Sequence, residues 1–135
     1  MKEFGEMKEE NPLPILMKDP INRVQLAQYA GASGDFNPIH IDEEFAKKSP
    51  LKGVIAHGML SMGFISEYAE KLAGENGKIN TIKAQFRSIV RIGDVITCEG
   101  ILKDVDKDRK TFEIKAKNQN GDIVVKGTTE IEATN

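Results

Sequence analysis

A long apolar helical repeat followed by a change of period most restricts what this chain can fold into. Over residues 57–73, apolar residues recur at spacings of three and four, which predicts one helix covered on more than one side. After a glycine-containing break, Ile82, Ala84 and Phe86 alternate with polar residues, as expected of a half-buried strand. Helices first and strands afterwards predict an α+β domain, in which an antiparallel sheet packs against this one helix.

Further strands are predicted in the C-terminal part of the chain. Residues 95–102 form an apolar run broken by two polar side chains, and residues 112–117 alternate strictly. Residues 104–110 between them are predicted to be a polar hairpin loop. Asn120-Gly121 is suited to a tight type I′ turn. This turn leads to a last strand whose apolar residues on one face are Ile123, Val125 and Ile131.

Capping residues predict two shorter helices in the N-terminal half. Asn22 can accept hydrogen bonds from the free N–H groups of a first helix, which is expected to end at about Ala30. The glycines that follow tolerate a left-handed turn. Asp42 is placed to cap a second, short helix, with Phe45 and Ala46 facing inward.

Length and charge describe one ordinary globular domain. A chain of 135 residues is long enough for a hydrophobic core of its own, and we place this single domain at residues 12–135. Residues 1–11 are charged without a steady period, so they are expected to form a frayed or loosely docked tail. A net charge of −2 argues against a nucleic-acid partner.

Cysteine content and hydropathy bear on the cellular compartment. Cys98 is the single cysteine, so it has no internal disulfide partner and suits a reducing environment. A catalytic role for its thiol would need an activating base nearby. No stretch approaches the roughly 20 apolar residues that span a membrane, and the charged start does not resemble a signal peptide. The chain is therefore expected to be cytoplasmic, without a membrane partner.

The loop over residues 34–41 carries the first candidate for chemistry. Asp35 and His40 lie five residues apart on it, and its Gly34 and Asn37-Pro38 restrict its shape. A neutral imidazole is a base near about pH 7, and a carboxylate can orient a water or transfer a second proton. Alternatively, Asp35 stabilises a turn through its own backbone and His40 is only packed, which is the commoner arrangement for any single pair.

His57-Gly58, at the predicted start of the long helix, is the second candidate. The Gly58 N–H would lack a partner within the helix and would carry the positive end of the helix dipole, so it could stabilise an oxyanion. Close packing of the helix on the sheet would explain a glycine equally well. His57 is expected to cap or pack rather than to act as the base. Ser66, farther along the helix, would ordinarily bond back to the preceding turn.

No metal or organic cofactor is expected. The two histidines and scattered carboxylates lack the ligand spacing of a zinc site. No glycine-rich phosphate-binding motif opens a helix after a strand.

Two separated motifs fit one known family. Residues 34–40 read Gly-Asp-Phe-Asn-Pro-Ile-His, with Tyr29 upstream and the small residue Ala46 after five more positions. A second motif reads Ala-His-Gly-Met-Leu at residues 56–60. Together they resemble the MaoC-like family of R-specific enoyl-CoA hydratases (hydratase 2), including its R-3-hydroxyacyl-ACP dehydratase subunits, over about residues 20–130.

The resemblance implies a hot-dog fold, in which a curved antiparallel sheet wraps around the long helix. It implies a homodimer whose interface helps to form the acyl slot, with a higher oligomer or a heterodimer as alternatives. Asp35 and His40 would hold the catalytic water, and the Gly58 N–H would bind the thioester oxygen. The resemblance implies four further residues at the substrate site: Asn37, His57, Met62 and Ser66. Of these, Asn37 would brace the loop.

The implied reaction is the reversible syn addition of water to a trans-2-enoyl thioester of CoA or acyl carrier protein. The product is a 3R-hydroxyacyl thioester, as in fatty acid or polyhydroxyalkanoate-type metabolism. A hot-dog acyl-CoA thioesterase and a non-catalytic acyl-thioester-binding subunit remain the alternatives. Two residues depart from the family pattern. Ala32 stands where a larger aliphatic residue or glycine is usual, which is a mild change, and Ile89 replaces the usual proline before Val90, which concerns the scaffold.

Acyl chain length and carrier stay open at this point. Several residues could line either a short or a medium acyl slot: Phe36, Ile41, Phe45, Leu51 and Met62. Candidates for contact with the nucleotide 3′-phosphate of CoA or with an acidic carrier protein are Lys47, Lys48 and Lys52.

Overall fold

The structure, a computed structural model, describes residues 4–8 and 12–134. Its helices are α1 (Arg23–Ser33), α2 (Pro38–Ile41), α3 (Glu43–Lys48) and α4 (Gly58–Ala73), with 3-10 turns at Phe4–Glu6 and Gly74–Asn76. Its strands are β1 (Leu16–Met17), β2 (Gly77–Phe86), β3 (Thr97–Asp106), β4 (Arg109–Lys117) and β5 (Ile123–Ala133). The strands are antiparallel, in the order β1-β3-β4-β5-β2. Within the described ranges, no helix is long and apolar enough to cross a membrane.

The inner face of this curved sheet packs on α4. Side chains of β4 alternate between buried and half-buried positions, as the sequence predicted. The long helix is buried on several sides, and its apolar positions meet the inward positions of β3, β4 and β5. The residues at the centre of this core include Ile65, Tyr68, Leu72, Phe112, Ile114 and Val125. The predicted α+β domain around one dominant helix is therefore confirmed.

Two strand glycines let the helix approach the sheet closely. A Cβ atom at Gly100 would lie 2.8 Å from the Tyr68 ring, and one at Gly127 would lie 3.1 Å from Ile65. The Tyr68 hydroxyl donates to the backbone oxygen of Pro14 at 2.6 Å, and burial raises its pKa to about 12. Tyr68 is thus fixed at both its ring and its hydroxyl, which fixes α4 relative to β3.

Gly100→Ala is expected to destabilise the protein. The added methyl group would overlap the Tyr68 ring, and overpacking of this kind costs about 1–3 kcal/mol of unfolding free energy. Urea unfolding measures this cost. Gly31→Ala is the control, because the exposed Gly31 lies within α1 with nothing near its Cβ position, so alanine should raise stability by about 0.5–1 kcal/mol. Equal stability of the Gly100→Ala and Gly31→Ala variants would contradict the close packing of the Tyr68 ring against Gly100.

The first residues are more firmly docked than the charge pattern predicted. Phe4 and Met7 are buried, and the Phe4 ring lies 6.3 Å from that of Phe112. Lys110 Nζ donates to the backbone oxygens of Phe4 and Met7 at 2.5 and 3.0 Å, and burial lowers the pKa of Lys110. The expectation of a frayed or loosely docked tail is wrong for these residues, because two apolar side chains among the charges suffice to anchor them. Residues 1–3 and 9–11 of the expected tail lie outside the described residues.

The hairpins differ from their predicted form. Asp106 pairs with Arg109, so the polar stretch 104–110 is mostly strand around a two-residue turn, in which Lys107 has a φ of 56°. At the next hairpin, Gly121 has a φ of 84°, but Asn120 does not share the positive φ that a type I′ turn requires. The Gly121 N–H instead donates to Asn118 at the end of a wider loop. A strand segment that is polar and faces solvent lacks the alternation of apolar residues from which a strand is predicted.

The short helices also need corrections. Asn22 caps α1 through the Gln25 N–H at 2.8 Å as predicted, but α1 continues to Ser33 rather than ending at about Ala30. Asp42 caps α3 through the Phe45 N–H at 3.1 Å, as predicted. Ala46 is buried, whereas Phe45 is 50% exposed instead of facing inward.

Candidate active site

The segment between α1 and α3 is shaped by three local features. Gly34 ends α1 with a left-handed φ of 77°. Asp35 Oδ1 then accepts from the Asn37 N–H at 3.2 Å, and Asn37 Oδ1 accepts from the Ile39 N–H at 3.2 Å. Asn37 is therefore the cap of α2, a single helical turn that sequence analysis had taken for loop, with Pro38 at its start. This turn brings His40 back toward Asp35.

Asp35 and His40 face each other. Asp35 Oδ2 lies 3.7 Å from His40 Nε2, and the two side chains are 52% and 9% exposed. His40 Nδ1 lies 2.8 Å from the backbone oxygen of Ile55. Because a carbonyl oxygen only accepts, Nδ1 carries the hydrogen, so in the neutral form of the ring the unprotonated Nε2 faces the carboxylate. The pair thus offers a base and a carboxylate that can both reach one small polar molecule.

His57 lies on the other face of the His40 ring. The two ring centroids are 3.9 Å apart at an interplanar angle of 25°, and the Tyr29 ring is 4.8 Å from His57. His57 Nε2 lies 3.0 Å from the backbone oxygen of Asp35. The side chain makes no capping bond to α4, so of the two expected roles the structure shows packing and not capping.

Gly58 is the first residue of α4. Within the described part of the chain, its N–H has no hydrogen-bond partner, as expected of the first N–H groups of a helix. A Cβ atom at Gly58 would meet only the Phe86 ring, at an ordinary contact distance of 3.6 Å. Close helix–sheet packing therefore does not explain this glycine, and its bare surface faces a cavity instead.

This cavity has a volume of about 300 Å³ and is bounded by His40, His57 and Gly58 on one side. The rest of its wall comes from α4 and from residues in and beside the strands: Ile55, Ala56, Ser61, Phe86, Arg87, Ser88, Ile89, Val90 and Val125. Ser61 and the 86–90 segment are not among the site residues predicted from the sequence. The i+3 spacing of Ser61 from Gly58 was the one available signal, since it places both on one helix face.

Several predicted site residues lie elsewhere. The Ser66 hydroxyl donates to the Met62 backbone oxygen at 3.0 Å, the ordinary arrangement of a helix serine, and neither residue lines the cavity. The candidates for the acyl slot, Phe36, Ile41, Phe45, Leu51 and Met62, are all outside its wall. Asn37 is also outside the wall, and its side chain accepts from the Ile39 N–H.

Two other chemical possibilities lose support. Asp35, His40 and His57 bring ligand atoms within 4.8 Å of one another. The histidine rings are stacked, however, so their in-plane lone pairs run side by side and do not converge on one ion. Burial raises the pKa of Cys98 to about 12, so its thiol stays protonated at neutral pH and cannot serve as a nucleophile.

Comparison with known proteins agrees with this fold. The MaoC-like domain model matches residues 5–125. An R-specific enoyl-CoA hydratase from Rhodospirillum rubrum is 32% identical over 127 residues, which cover 92% of this chain and 86% of the relative. The fatty acid synthase subunit beta of Saccharomyces cerevisiae is 30% identical over 91% of this chain, which spans only 6% of that much longer protein.

A solved structure shows the same architecture. The R-hydratase PhaJ1 from Pseudomonas aeruginosa, in its unliganded form, superposes with a TM-score of 0.87 at 29% identity, covering 97% of this chain and 84% of that one. The chain belongs to the MaoC-like domain family, and the predicted hot-dog fold is confirmed.

Proposed function

We propose that the protein hydrates trans-2-enoyl thioesters reversibly to 3R-hydroxyacyl thioesters, as the name of the Rhodospirillum rubrum relative indicates for that protein. The observation that carries this proposal is the shared cavity of His40 and the Gly58 N–H, with Asp35 beside His40. A base next to an oxyanion donor suits addition at C3 with charge developing on the thioester oxygen.

The tautomer of His40 supports a division of roles. Nδ1 donates to the Ile55 oxygen, so Nε2 takes a proton from the water as its oxygen bonds to C3. The C2–C3 π electrons move toward the thioester oxygen, where the Gly58 N–H and the positive end of the α4 dipole stabilise the negative charge. Asp35 orients the water. The proton held by the Asp35–His40 pair then passes to C2 on the same face, which gives syn addition.

Incubation of the purified protein with crotonyl-CoA tests the proposal. Loss of the enoyl absorbance without release of free CoA thiol is the expected result. Thiol release without hydration would indicate the thioesterase alternative, and no reaction with any enoyl-CoA or enoyl-ACP of C4 to C12 chains would indicate a binding subunit. The same series identifies the preferred chain length and carrier.

We also propose a homodimer built on β2. Among the described residues, this ten-residue strand pairs with β5 on one side only and is the outermost strand of the sheet, and such open edges favour pairing with another chain. Exposed apolar side chains of Met59, Phe86 and Ile89 lie on or near the cavity wall, where a second copy would cover them.

The free buried thiol of Cys98 supports a reducing, cytoplasmic setting.

Light scattering after size-exclusion chromatography is expected to give twice the 14.9 kDa chain mass, because pairing of two β2 edges satisfies their open backbone groups. A mass of one chain at micromolar concentration would contradict the dimer.

A further inference from the structure

The His57 side chain touches both halves of the proposed site. It is 2% exposed and directly precedes Gly58. Its Nε2 lies 3.0 Å from the Asp35 backbone oxygen, and since that oxygen only accepts, Nε2 carries the hydrogen and donates. One side chain thereby connects the backbone at the carboxylate to the first turn of α4.

The other ring nitrogen of His57 identifies its state. Nδ1 is buried and has no hydrogen-bond partner among residues 4–8 and 12–134. A proton on Nδ1 would create a buried donor without an acceptor, which is costly, so of the two neutral tautomers the surroundings favour the one with its hydrogen on Nε2. A neutral ring can stack on His40 at 3.9 Å without opposing the positive charge that His40 gains when it takes a proton.

Apart from His57, the hydrogen bonds that hold Asp35 are local: its backbone N–H donates to Ser33 Oγ at 3.2 Å. Its side chain is 52% exposed, and its carboxylate accepts one hydrogen bond within the described residues, from the Asn37 N–H. A half-exposed carboxylate on a short turn gains little from packing. A displacement of about 1 Å at a reacting group can lower a rate by about 100-fold.

We propose that His57 is a positioning residue for this reaction. Its Nε2–H fixes the Asp35 backbone so that the carboxylate faces His40 Nε2, and its ring face limits how far the His40 ring can turn. The role rests on the proposed hydratase function, and it does not require His57 to contact the reacting atoms.

Nitrogen NMR of the histidine rings tests the hydrogen bond without any substrate. In the ¹⁵N-labelled protein at neutral pH, His57 is expected to show a protonated Nε2 and an unprotonated Nδ1, whereas His40 shows the opposite tautomer. A His57 ring with its hydrogen on Nδ1 would overturn the inference whatever the protein catalyses.

Two substitutions at His57 then separate its hydrogen bond from its packing. His57→Phe keeps a ring against His40 and Tyr29 but removes the donor, and it is expected to lower kcat about 10- to 100-fold with KM changed less than about threefold. His57→Gln places an amide N–H near the position of Nε2 and is expected to restore most of kcat. Thr129→Val, which removes the buried bond from Thr129 to the Thr81 backbone oxygen, is the stability control and should leave kcat unchanged.

The outcomes distinguish the two proposals. An active wild type whose His57→Phe variant keeps its full kcat, or whose Phe and Gln variants are equally impaired, overturns the positioning role alone. A wild type that hydrates no enoyl thioester overturns the proposed function, and the positioning role with it.

Discussion

Asp35→Asn is expected to lower kcat for hydration about 10²- to 10⁴-fold, the range typical of a positioned acid–base group. The asparagine Oδ1 can still accept from the Asn37 N–H, so the turn that presents residue 35 is kept. What is lost is the negative charge beside His40 Nε2, which orients the water and stabilises the protonated imidazole. Initial rates with crotonyl-CoA measure the loss.

Asp42→Asn is the matched control for this substitution. Asp42 also accepts a backbone N–H, that of Phe45, at the start of a short helix, but among the described residues only Asp35 brings a carboxylate to His40 Nε2. Its variant should therefore keep kcat within about twofold, at a stability cost of only a few tenths of a kcal/mol, because asparagine caps helices as well as aspartate does. Equal activity of the two variants would remove Asp35 from the mechanism.

Gly58→Pro is expected to cause the second large loss of kcat. Proline lacks the N–H that is proposed to bind the thioester oxygen, and loss of one such donor lowers kcat about 10²- to 10³-fold. The fold should tolerate the change, because Gly58 is the first residue of α4, where proline is favoured. His57 before it has a φ of −61° and a ψ of 134°, the extended conformation that proline requires of its predecessor.

Gly58→Ala is the control for bulk at this position. Alanine keeps the N–H, and its Cβ would make only an ordinary contact with Phe86, so the folded protein should be at least as stable. The methyl group enters the cavity, so a higher KM is expected, with a smaller loss of kcat than in the proline variant. A proline variant that folds and retains the kcat of the alanine variant would exclude the Gly58 N–H as the oxyanion donor.

The elements that could be predicted from the sequence are those set by local chemistry. Asn22 and Asp42 each bond a backbone N–H three residues on, and that bond depends on no distant contact. The helix of residues 58–73 and the buried faces of the strands follow from spacing, because one face of each must leave water. Asp35 and His40 could be predicted as a pair because they lie five residues apart on one segment, where the one-turn helix brings them together.

What could not be predicted depends on tertiary packing. Ser61, Phe86 and Val125 line the cavity from α4, β2 and β5, and only the closed sheet brings these elements together. The contact between His57 and Asp35 joins residues 22 positions apart. The spacing of Phe45, by contrast, predicts a side chain that faces inward, whereas in the structure this side chain is exposed. Sequence spacing predicts which face of a helix or strand is buried, but not which other element packs against that face.

The stereochemistry of hydration in D₂O tests the central claim most directly. If the Asp35–His40 pair takes the proton from water and returns it on the same face, crotonyl-CoA should give a single 3R-hydroxybutyryl-CoA with deuterium at C2 on the side from which the oxygen added. NMR of the product shows the relative configuration, and a stereospecific dehydrogenase assigns the configuration at C3. Deuterium on the opposite face or on both faces would contradict a single acid–base pair acting beside the Gly58 N–H, and a 3S product would contradict the proposed R-specific hydration.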